Sequence, residues 1–232
     1  MNSIRVHRYA DAAGLYAGVA QQLLRHIAAA QRSVALCLSD GTADICASID
    51  AAPVKPERIS LWWSDERFVD VTDPLRVSTK TLAALGNAFR FAPNRVHPMP
   101  TPSGNPDADA AAMAYATELA DTAFDLAILA MGADGSVAGL APGSKVFTEK
   151  TQHTVTGFTD DIGGRLTLTR RALERAQVIW LIAVGEAVAD AVAKTVTGDD
   201  ALPSGAIRGR RETHIFADES AATQLPWFDC EL

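Results

Sequence analysis

The residues of this chain that could do chemistry fall in four short segments, and each directly follows an apolar run. Ser39-Asp40-Gly41-Thr42 follows the run at 33–38, and Ser64-Asp65-Glu66-Arg67 follows the run at 58–63. Gly132-Ala133-Asp134-Gly135-Ser136 follows the run at 124–131, and Gly185-Glu186 follows the run at 178–184. A serine on a strand-to-helix turn can be a nucleophile, but Ser136 lacks the G-x-S-x-G frame because position 134 is aspartate. No G-x-G-x-x-G follows a strand and no P-loop lysine is present, which excludes those two kinds of nucleotide site. The histidines His7, His26, His97, His153 and His214 show no metal-ligand spacing. What is left is carboxylates, hydroxyls and glycines with one arginine. Turn chemistry accounts for much of it, since a helix needs a cap and a turn needs permissive backbone. Asp65-Glu66-Arg67 is the exception, because three consecutive charges directly after Trp62-Trp63 exceed what a turn requires.

The elements that would position these segments alternate along the chain. The four apolar runs show no alternation, as expected of strands buried on both faces of a parallel sheet. A shorter strand is expected at 4–9. Helical spacing at Leu15, Val19, Leu23 and Ile27 predicts a helix over 11–31 with Asp11 as its cap. Further helices are expected at 78–87, 107–121, 170–176 and 186–197. Segments 151–159 and 165–169 add accessory, antiparallel strands. The pattern predicts an α/β fold: an open, mostly parallel twisted sheet with helices on both faces, Rossmann-like, in a single domain over 1–232. In such sheets ligands bind outside the carboxyl ends of the strands. If the four runs are parallel neighbours, their polar ends converge at one rim.

Composition narrows the partner. The chain has 232 residues, 48% hydrophobic and 21% charged, which is a globular composition. Lys and Arg number 21 against 28 Asp and Glu, a formal net charge of −7. That balance argues against nucleic acid, whose binding depends on neutralising phosphates, and against an anionic membrane surface. It leaves room for a small anionic ligand, because a pocket needs only two or three local donors. Cys37, Cys46 and Cys230 are odd in number and lack C-x-x-C spacing, which fits a reduced cytoplasm. No run of 18 apolar residues and no secretory h-region is present in the sequence.

Together the segments resemble the 6-phosphogluconolactonases, within the wider group that includes glucosamine-6-phosphate deaminases. Leu38-Ser39-Asp40-Gly41-Thr42 is similar to the family's L-S-G-G-S/T loop, and Trp63-Ser64-Asp65-Glu66-Arg67-Phe68-Val69 to its W-x-D-E-R-x-V. Phe124-Asp125-Leu126 and Met131-Gly132-Ala133-Asp134-Gly135 resemble F-D-L…M-G-x-D-G, and Leu140 with Pro142-Gly143 the following L-F-P-G. Arg165-Leu166-Thr167-Leu168-Thr169 matches R-[IV]-T-L-T. The resemblance implies hydrolysis of 6-phospho-D-glucono-1,5-lactone to 6-phosphogluconate in the pentose phosphate pathway, with no metal and no cofactor, by a cytoplasmic monomer or homodimer. It implies that Ser39, Gly41 and Thr42 cradle the phosphate, that Arg165 adds a charged hydrogen bond, that Asp134 orients the catalytic centre, and that Arg67 stands at the rim. Asp65, Glu66, Gly132 and Gly135 are carried over as substrate-binding positions.

The chain departs from that pattern where the chemistry lies. The first loop glycine is Asp40, the D-G-H histidine is Ser136, the S-N pair falls on Arg76 and Val77, and the G-x-x-K lysine falls on Val188. A general base contributes about 10²–10⁴ in rate, and serine has no useful basicity near neutral pH. A hydrogen bond to a charged group is worth about 1.5–3 kcal/mol, which Val188 forfeits. Asp40 brings a carboxylate to a loop meant for phosphate, and Arg76 restores a positive charge if it points inward. His153 is offered as a substitute base. The alternatives are a catalytically impaired member acting as a binding or partner protein, or an enzyme for a related sugar lactone.

Overall fold

The four apolar runs become four adjacent strands in the middle of one sheet. The computed structural model describes residues 4–49, 55–86, 88–148, 154–160 and 163–226. Its strands are β1 (Ile4–Tyr9), β2 (Val34–Leu38), β3 (Ile59–Trp63), β4 (Asp65–Arg67), β5 (Val96–His97), β6 (Leu126–Ala130), β7 (Val155–Asp160), β8 (Gly163–Leu168), β9 (Val178–Ala183) and β10 (Glu212–Asp218). Its helices are α1 (Ala12–Ala29), α2 (Ala43–Ala47), α3 (Val77–Leu85), α4 (Ala108–Leu119), α5 (Lys145–Thr148), α6 (Arg170–Leu173), α7 (Ala189–Thr197) and α8 (Pro203–Ala206).

The main sheet has the order β1-β10-β9-β6-β2-β3-β5, and every neighbouring pair is parallel. From β2 the chain moves outward to β3, and from β6 it moves the other way to β9. The order therefore reverses between β2 and β6, and a reversal of this kind opens a crevice at the strands' carboxyl ends. A second sheet, β4-β8-β7, is antiparallel.

Alternation within each strand divides the core in two. Leu36, Leu38, Ile128, Trp180 and Ile182 face one layer, with Leu15, Val19, Leu23 and Ile27 of α1 and Val77 and Leu85 of α3. Cys37, Ala127, Leu129, Ile179 and Leu181 face the other, with Tyr115 of α4, Val192 of α7 and Leu166 and Leu168 of the second sheet. Burying one such large side chain contributes about 1.5–3 kcal/mol. Asp11 caps α1 as expected, its carboxylate accepting from the Gly14 N–H at 2.7 Å.

Several elements differ from expectation. β10 has no counterpart in the sequence reading, although it is an interior strand. The 170–176 helix stops at Leu173, and 186–188 is a 3-10 turn ahead of α7. Asp65–Arg67, expected as the polar end of a strand, is a strand of its own with Arg67 opposite Arg165. Residues 87 and 151–153 of the expected elements lie outside the described residues.

Candidate active site

The crevice at the reversal is an open cleft of about 430 Å³, walled by the ends of β2, β3 and β6, by the 132–139 loop and by Arg165 of β8. Ser39 locks two of these walls together. Its N–H donates to the Ile128 carbonyl at 3.1 Å, and its Oγ accepts from the Ala130 N–H at 2.8 Å. Thr42 is buried, its Oγ1 donating to the Ser39 carbonyl at 2.7 Å. Gly41 has φ +84°, and a Cβ there would lie 2.8 Å from the Ala130 Cβ. Only glycine fits both the left-handed backbone and this approach.

Asp40 sits in the cleft wall. Its Oδ1 accepts from the Gly41 N–H at 3.0 Å and from Lys80 Nζ at 2.9 Å. Lys80 was not among the residues singled out from the sequence. It is the one lysine of α3, one turn after Arg76, and only the fold shows that this turn faces the β2 loop. The carboxylate in this loop thus has a cation beside it. Asp40 pairs with Lys80, while Arg165 is shared between Asp65 and Asp160, three carboxylates against two cations.

Asp65, the first residue of β4, is buried just past the end of β3. Its Oδ2 pairs with Arg165 Nη2 at 2.8 Å, and its Oδ1 accepts from Ser64 Oγ at 2.9 Å. Burial pushes its carboxyl above the ordinary carboxylate range, and the nearby Asp40 charge pushes the same way, while Arg165 and Ser64 oppose. Arg165 also reaches Asp160 at 3.5 Å, and its Nε is buried without a hydrogen-bond partner among the described residues. Arg67 lies on the same face of β4 as Asp65, opposite Arg165, but outside the cleft lining.

Glu66 and Arg76 do not join the site. The Glu66 carboxylate accepts from the Arg67, Val77 and Ser78 N–H groups at 2.7–2.9 Å, holding the start of α3. Arg76 is 1% exposed, lies 3.9 Å from Glu66, and donates to the Met99 carbonyl. It therefore supplies no charge to the cleft, contrary to expectation, because the unpaired Glu66 carboxylate would otherwise be buried alone. Val77 is a core residue beneath it, and Val188 is likewise buried in the opposite core layer.

The glycine loop after β6 is held by its own backbone. The Gly132 N–H donates to the Ser136 carbonyl and the Gly135 N–H to the Gly132 carbonyl, both at 2.9 Å. Asp134 is exposed, and its Oδ1 accepts from the Ser136 N–H at 2.9 Å, a local turn rather than a contact in the cleft lining. Gly135 has φ +80° and packs against Leu202. Gly132 and Ser136 do line the cleft. No described imidazole does: His7 bonds His214, His26 packs edge-on to Trp180, and His97 stacks on Trp62. His153 lies outside the described residues. Among the described residues, no three His, Cys, Asp or Glu side chains are grouped to hold a metal.

Fold and site together define an open α/β protein with a small-ligand cleft at the topological switch, lined by a carboxylate–arginine pair and two glycine-bearing loops. The family model for glucosamine-6-phosphate isomerases/6-phosphogluconolactonase matches residues 10–216, and the chain belongs to this family. It is 38% identical over 185 residues to the 6-phosphogluconolactonase of Streptomyces coelicolor, covering 73% of this chain and 71% of that one. It is 35% identical over 195 residues to that of Mycobacterium tuberculosis, covering 77% and 78%. The crystal structure of the Thermotoga maritima 6-phosphogluconolactonase superposes with a TM-score of 0.80 over 94% of this chain and all of that one, at 22% identity.

Proposed function

We propose that the protein hydrolyses 6-phospho-D-glucono-1,5-lactone to 6-phosphogluconate, the activity named for its relatives. The observation that carries this reading is the Asp65–Arg165 pair, brought together at 2.8 Å from the neighbouring strands β4 and β8 of the second sheet in the wall of the switch-point cleft. With serine at position 136, Asp65 is the carboxylate that takes the proton from water. The water oxygen adds to the lactone carbonyl carbon, the tetrahedral intermediate collapses, and the ring C–O bond breaks. The ring oxygen leaves as a hydroxyl after taking a proton back. A base whose pKa lies nearer the working pH transfers protons more effectively, and burial moves Asp65 in that direction. Ser136 presents a hydroxyl to the substrate, and Arg165 holds the Asp65 carboxylate in the cleft wall. The reaction belongs to the cytoplasm; no helix among the described residues is long and apolar enough to cross a membrane.

The test is release of acid from freshly made 6-phosphogluconolactone, corrected for spontaneous hydrolysis. A rate above buffer that scales with protein concentration is expected. A rate equal to buffer overturns the reading.

A further inference from the structure

Asp40 is one of the cleft's departures from the family pattern, and the structure pairs it with Lys80. That pattern has glycine at position 40 and a cation at position 188, and here those positions hold a carboxylate and a buried valine. We propose that Lys80 is the substrate-anion ligand that replaces the missing cation, and that Asp40 is its displaceable internal counter-ion, which together set how strongly the cleft prefers phosphorylated over unphosphorylated sugars.

Three observations carry this. First, the Asp40 carboxylate already occupies anion-binding groups. One oxygen accepts from the Gly41 N–H at 3.0 Å and from Lys80 Nζ at 2.9 Å, so the chain's own anion sits where loop and lysine converge. Second, the pair can exchange. The two side chains are 38% and 39% exposed, and ion pairs this open to water are held weakly. A phosphate group carries up to two charges and three acceptor oxygens, and so outcompetes a single carboxylate for a lysine. Third, Lys80 is placed by structure. Glu66 fixes the first N–H groups of α3, and Trp63 Nε1 donates to Thr81 Oγ1 at 2.9 Å, so the residues on both sides of Lys80 are anchored. Arg165, the cation of the cleft lining, is engaged by Asp65 and Asp160, whereas Lys80 reaches the cleft through Asp40. An arriving phosphate therefore meets Lys80 as the cation most easily released.

This rests on the lactonase reading for its substrate class, but its test reads binding, not turnover. Calorimetric titration with 6-phosphogluconate and with gluconate gives a preference ratio for the parent, Asp40→Asn and Lys80→Met, each first shown to melt cooperatively. Asp40→Asn is expected to tighten 6-phosphogluconate about tenfold, and Lys80→Met to weaken it about tenfold, with gluconate changed little in either. The double variant should bind 6-phosphogluconate like Lys80→Met, because Asp40 acts through the lysine. Equal effects on both sugars, no change in the ratio, or no 6-phosphogluconate binding by Asp40→Asn would each overturn the proposal. Loss of the lactonase reading alone, with the ratio still responding, would leave this one standing.

Discussion

Two carboxylates stand at adjacent strand ends of one cleft, and they differ in how each is held. Asp65, after β3, is 3% exposed and paired with an arginine from β8, the strand beside its own. Asp40, after β2, is 38% exposed and paired with a lysine on the helix beside it. Both are aspartates within hydrogen-bond distance of a cation, so residue type does not separate them. Burial does. A buried pair is costly to break because the survivor keeps its charge away from water. An exposed pair loses little, since water solvates both partners. The β3 end is therefore a fixed part of the site, and the β2 end an adjustable one.

The largest effect should come from Asp65→Asn, with kcat for the lactone falling about 10²–10⁴-fold while 6-phosphogluconate still binds. A loss confined to KM would mean that Asp65 only positions substrate. The same residue fixes the pH profile. The working form is the carboxylate and burial raises its pKa, so kcat/KM should fall as pH drops through a value above the ordinary carboxylate range near ~4. A profile flat down to that range would remove Asp65 from the base role.

Arg165→Met strands the buried Asp65 charge, and urea denaturation at neutral pH should show a loss of about 3–5 kcal/mol. Gly41→Ala forces a Cβ into the left-handed region against Ala130, at a cost of about 1–2 kcal/mol by the same measurement. Smallest is Lys80→Gln, where stability should change by less than about 1 kcal/mol. A Lys80 effect as large as that of Arg165 would erase the distinction between the two ends.

The sequence displays the fold where burial is two-sided. The four apolar runs are neighbouring strands and the polar ends of three line the cleft, whereas Gly185, after β9, donates its N–H to Asp218 instead. β10 escaped because Glu212 and His214 interrupt its apolar character. Only the fold supplies what satisfies them: His214 bonds both His7 and Glu212 at 2.9 Å. The site was legible at Ser39, Asp40, Gly41, Asp65, Gly132, Ser136 and Arg165, which line one cleft. It was not legible at Lys80 or Arg76. A cation's direction depends on which carboxylate the fold buries beside it: Glu66 claims Arg76, and Asp40 claims Lys80.

The order of the main sheet has a consequence for how the chain is made. Among the described strands β1 stands earliest in the sequence, yet the sheet neighbour it has there is β10, and residues that touch across this pair stand 207 positions apart. The inner strands β2, β3 and β6 can pair while β1 still waits for β10. Contacts this distant in sequence close late and slow folding. β1 is thus among the last strands to be placed, and until β10 arrives both β1 and the outer edge of β9 stand open to wrong partners.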